Sequence, residues 1–69
     1  MTNVIVTFSH TVAEVTVTNT MMVNITAWGS TAANDYNVGV KFTAACTTLG
    51  FTSPVLVSYA KLDMIFNGS

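Results

Sequence analysis

Apolar and polar positions alternate along most of this chain. In "NVIVTFSH" the residues Val4, Val6 and Phe8 share one side, and Ile5, Thr7 and Ser9 share the other. In "AEVTVT", Ala13, Val15 and Val17 oppose Glu14, Thr16 and Thr18. In "MMVNITAW", Met21, Val23, Ile25 and Ala27 oppose Met22, Asn24, Thr26 and Trp28. "YNVGVKFTAAC" sets Tyr36, Val38, Val40, Phe42, Ala44 and Cys46 against Asn37, Gly39, Lys41 and Thr43. "VLVSYAKLDMIF" is apolar on both sides. Period two is the strand signal, and abundant Val and Thr suit a pleated surface.

The pattern predicts five strands, roughly at 3–9, 12–18, 21–28, 36–46 and 55–66. Short turns fall at 9–11 and at 18–20, where Asn19 tolerates a left-handed backbone. Loops fall at 29–35 and at 47–54, the second punctuated by Gly50 and Pro54. A helix over 58–66 is the weaker alternative, because Val55, Val57, Tyr59 and Ile65 prefer sheets. The expected fold is all-β: a small antiparallel sheet or sandwich of about five strands, completed by neighbouring subunits. Residues 1–69 form a single small domain, with neither a linker nor a repeat.

Charge alters how the faces are read. Only Glu14, Asp35, Lys41, Lys61 and Asp63 carry it, 7% of the chain against about 25% in ordinary soluble domains. Net charge is −1 and 51% of residues are hydrophobic. From Val15 to Trp28 no residue is charged. The side bearing Val15, Val17, Met21, Val23, Ile25 and Ala27 reads as the core face. The other reads Thr16, Thr18, Met22, Asn24, Thr26, Trp28, where a solvated sheet would place Lys, Glu and Arg. Such residues are desolvated cheaply, and Met and Trp are enriched at interfaces. A chain of 69 residues has little length for two full layers, so another subunit is the expected cover. Strand edges guarded by little more than Lys41, Lys61 and Pro54 point to strand addition between subunits.

Size and composition exclude several roles. A domain this short buries only about 60% of the surface its unfolded chain exposes and needs added support. Cys46 is the single cysteine, so no disulfide within the chain supplies it. His10 and Cys46 lack ligand-spaced companions, so no metal or other cofactor is expected. Two Lys and no Arg are too few for phosphate binding, which argues against nucleic acid. The uncharged runs Val15–Asn34 and Phe42–Ala60 are interrupted by Thr, Ser, Asn, Gly and Pro, so neither is a membrane span. "MTNVIVTFSH" has no basic n-region or cleavage site, so a classical signal peptide is not expected. Synthesis in a host cytosol agrees with the unpaired Cys46.

Candidate chemistry is sparse. His10 stands beside Ser9 and Glu14, but a Ser–His–acid group also needs a pocket and an oxyanion hole; a turn histidine is the plainer reading. Cys46 on an apolar side reads as an inert buried thiol. Asn24-Ile25-Thr26 and Asn67-Gly68-Ser69 match the glycosylation triplet, as chance allows in a Thr- and Asn-rich chain. Trp28 and Tyr36 flank the loop 29–35 and could stack on a sugar ring.

The expected function is structural rather than enzymatic: a small subunit of a large ordered assembly. A capsid-associated decoration or cement protein, located in a virion and stabilising contacts between larger subunits, fits best. Its contacts would come from Met22, Trp28, Phe51, Leu56, Tyr59 and Ile65, and its partners would be copies of itself or larger capsid or filament proteins. The alternative is a receptor- or glycan-binding module at the tip of a fibre or filament, using Trp28 and Tyr36.

Overall fold

The computed structural model describes residues 2–62. These residues form a mostly-β structure: a three-stranded antiparallel sheet with the helix Thr31–Leu49 packed on one face. The order along the chain is β1 (Thr2–Val12), β2 (Val15–Ile25), α1 (Thr31–Leu49) and β3 (Thr52–Lys61). In space the order is β2-β1-β3. β1 pairs antiparallel with both neighbours, so β2 and β3 run parallel to each other on either side of it.

Alternation in β1 decides the faces. Val4, Val6, Phe8 and His10 are buried, and the residues between them point to the opposite side. Val23 and Ile25 of β2 join the buried side, with Met21 at its margin. The assignment of Met21, Val23 and Ile25 to the core face therefore holds, whereas Ala27 lies beyond the strand and is exposed.

The expected antiparallel sheet is present, but among the described residues it has three strands rather than about five, and a helix takes the place of an all-β arrangement. Segments 3–9 and 12–18 do not divide at 9–11, because Ser9, His10 and Thr11 continue β1. The hairpin does not close at 18–20 either. It closes at Ala13 and Glu14, both left-handed with φ of 49° and 67°, as a two-residue turn between paired Val12 and Val15. Asn19 stays in β2, where its side-chain Nδ2 lies 3.0 Å from His10 Nε2.

The largest correction concerns 36–46, read as a strand and found within α1. Val38, Phe42 and Cys46 are buried, as is Asn34 one turn earlier. Spacing of four satisfies both periods, because every fourth residue is also every second one. The intervening Tyr36, Val40 and Ala44 turn away and are exposed. The helix starts inside the segment expected as a loop. Ser30 caps it, its Oγ accepting from the Ala33 N–H at 3.3 Å. Asn34 reaches back to Gly29, accepting from its N–H at 2.9 Å and donating to its carbonyl at 3.1 Å. Gly50, left-handed at φ 77°, ends the helix, and the Gly50 and Phe51 N–H groups both donate to the Cys46 carbonyl.

β3 occupies Thr52–Lys61, starting three residues before the expected 55; it ends before Leu62, and positions 63–66 of that prediction lie outside the described residues. Two register shifts interrupt its pairing. One leaves Val57 as an extra residue, and the other sets Ser53 and Pro54 against His10. Proline is tolerated there because a bulge needs no ladder hydrogen bond.

Candidate interaction surface

Cross-strand partners share a face, so the register lays out the side of the sheet away from α1. Ala60, Ile5 and Met22 form one row across the three strands. Ser58, Thr7 and Thr20 form the next, followed by Val55, Ser9 and Thr18, and then by Thr52, Thr11 and Thr16. Asn3 and Asn24 meet at the end and are hydrogen-bonded through their side chains. No residue in these rows is charged. The charged groups of the described residues lie elsewhere: Glu14 at the hairpin turn, Asp35 and Lys41 on exposed positions of α1, and Lys61 opposite Val4. Among the described residues no element packs on this side. The described residues do build a second layer, but from a helix, and it lies on the other face of the sheet.

The two edges differ. β3 has its two bulges, Pro54 and the terminal Lys61. β2 pairs with β1 without interruption over eleven residues; its other side, unpaired among the described residues, has no proline, charge or bulge. At the hairpin tip, Val12 and Val15 are more than half exposed, because the hairpin outruns the core.

The residues picked for contact separate into groups. Met22 is exposed on the open face. Trp28, placed on that face by the alternation, instead follows β2 and packs against the core, edge-on to Tyr59 with ring centroids 6.0 Å apart. Phe51, Leu56 and Tyr59 also lean on the core from its margin. Ile65 lies outside the described residues. Tyr36 is exposed on α1 and borders a shallow, open depression with Gly39, Val40 and Thr43.

One pairing had no sequence signal. The Tyr59 hydroxyl donates to Asp35 Oδ1, tying β3 to the helix across 24 positions of chain. That hydrogen bond, with partial burial and the nearby negative charge, pushes the Tyr59 phenol up to about 12.

His10 neither meets Ser9 and Glu14 nor lies exposed in a turn, as the plainer reading expected; it stands inside β1 and is buried. Ser9 points to the opposite face, and Glu14 is exposed at the turn. The imidazole is buried among Phe8, stacked at 5.5 Å, Phe51 at 4.5 Å, and the Asn19 amide. Cys46 is buried in the core, and desolvation raises its pKa, which favours the unreactive thiol. Among the described residues no group of three His, Cys, Asp or Glu converges as metal ligands, and no helix is long and apolar enough to cross a membrane.

No family model matches the chain, and no curated protein or solved structure matches it either.

Proposed function

We propose that this protein is a structural subunit whose open sheet face is covered by other protein subunits in an ordered assembly. The observation carrying this reading is the row pattern of Thr, Ser, Asn, Ile, Met, Val and Ala across three strands, with no charge on it. Water gains little from such a face, and burying it leaves no ion without its hydration. The few charges of the chain do little to keep copies apart. A capsid-associated decoration protein, set between larger subunits of a virion, is the form of this role that uses such a face most fully. The alternative, a glycan- or receptor-binding module on Trp28 and Tyr36, has less support. Trp28 lies against Tyr59 and the core, whereas Tyr36 projects from α1.

The test is light scattering on the purified chain over a concentration series, wild type against Val55→Lys. Val55 is exposed on the open face, so a lysine there raises a charge over it while leaving the core alone. Wild type is expected to build species larger than a pair at tens of micromolar, and Val55→Lys to stop at a pair or below with unchanged circular dichroism. A wild type that never exceeds a pair, or a variant that assembles equally well, overturns the reading.

A further inference from the structure

We infer that the free edge of β2 pairs antiparallel with β2 of a second copy, about a two-fold axis at Thr20, giving one continuous six-stranded sheet. This rests on the reading of the chain as an assembly subunit and names one of its neighbours.

Three observations carry it. The first is the asymmetry of the edges. Bulges, proline and lysine break the β3 side, whereas β2 presents an unbroken, uncharged strand of eleven residues. Such an edge is a template for another strand.

The second is self-complementarity. A two-fold axis sets residues of equal parity opposite each other, so each face of one sheet continues into the same face of the other. Centred on Thr20, the open face pairs Thr18 with Met22 and Thr16 with Asn24 of the second copy. The core face pairs Val17 with Val23, and Val15 with Ile25. No charge opposes another along the strand, and Glu14 of each copy lies at opposite ends.

The third is the uneven cover over β2. Val23 and Ile25 are buried beneath α1, which packs more closely on β2 than on β3. Val15, on the same face, is 60% exposed near the hairpin tip. The Thr20 register brings the exposed Val15 of one copy beside the covered Ile25 of the other, so each core is extended by its partner. Apolar side chains left in water by the single chain thereby gain cover in the pair.

The experiment is sedimentation velocity on the full chain carrying Val55→Lys, which suppresses association through the face and isolates the edge. Thr20 is exposed and would stand beside its own copy at the axis. The expected result is a pair of twice the 7.3 kDa chain. Thr20→Lys and Thr20→Glu each should weaken it about tenfold or more, since like charges meet at the axis. Mixing the two in equal amounts should restore it, because opposite charges then face each other. Circular dichroism on each variant separates lost pairing from lost folding, and restoration in the mixture excludes misfolding outright. A chain that is monomeric without a Thr20 change overturns the pairing but leaves the face reading to its own test. A pair that persists in both Thr20 variants, or a mixture that stays monomeric, also overturns it.

Discussion

At Tyr59 a single hydrogen bond to Asp35 joins the last described strand to the helix. Its consequence is a pH dependence with a definite sign. The folded-state phenol sits at about 12, above its ordinary value near 10. The contribution is therefore complete below pH 10 and is lost as pH rises from about 10 to about 12, because the unfolded chain releases this proton first. Tyr59→Phe should cost about 1 kcal/mol at neutral pH, and it should flatten the fall in stability across that window. Urea titrations at pH 8, 10 and 11.5 check this; an equal fall in wild type and variant would refute the assignment. Neither partner was visible as such in the sequence, since Asp35 and Tyr59 are far apart in the chain and only the fold makes them neighbours. Asn19 teaches a related lesson. Its residue type favours turns, but within β2 its amide meets His10 across the hairpin, and that contact competes with the local preference.

Among the elements, the hairpin is governed by register more than by turn chemistry. Ala13 and Glu14 hold positive φ, where side chains with a Cβ are disfavoured and Asn-Gly is the preferred pair. The eleven matched pairs of β1 and β2 hold the turn there regardless. Ala13→Asn together with Glu14→Gly should therefore stabilise the protein by about 1 kcal/mol or more, read as a raised thermal midpoint. An unchanged or lower midpoint would mean that the flanking strands do not bear this strain. The helix presents the converse case. With Val38, Gly39, Val40 and several Thr it is a poor helix former by propensity, and its buried series against the sheet outweighs that preference.

For the whole molecule, one small core on one side of the sheet carries the stability. Phe8 lies at its centre, 1% exposed, with Phe42 and Phe51 ring centroids at 5.5 and 5.1 Å. Phe8→Ala should remove about 3–5 kcal/mol, comparable with the whole stability of a small domain. Loss of the cooperative thermal transition, followed by circular dichroism, is the expected outcome. A midpoint within a few degrees of wild type would show that the core lies elsewhere. The same economy leaves the second face of the sheet and the edge of β2 without cover among the described residues, and there the proposed assembly contacts arise.

The sequence by itself determined that β1 and β2 are strands, which of their faces is apolar, and that the other face lacks charge. Those properties follow from alternation, which is local and survives any partner. Only the tertiary structure decided that 36–46 is helical, that the hairpin turns at Ala13-Glu14, and that Trp28 packs against the core. Val38, Phe42 and Cys46 obey both periods at once, so the segment could be assigned only by what it packs against. A three-stranded sheet needs one face covered, and a helix burying every fourth residue covers it with less chain than a second sheet would require.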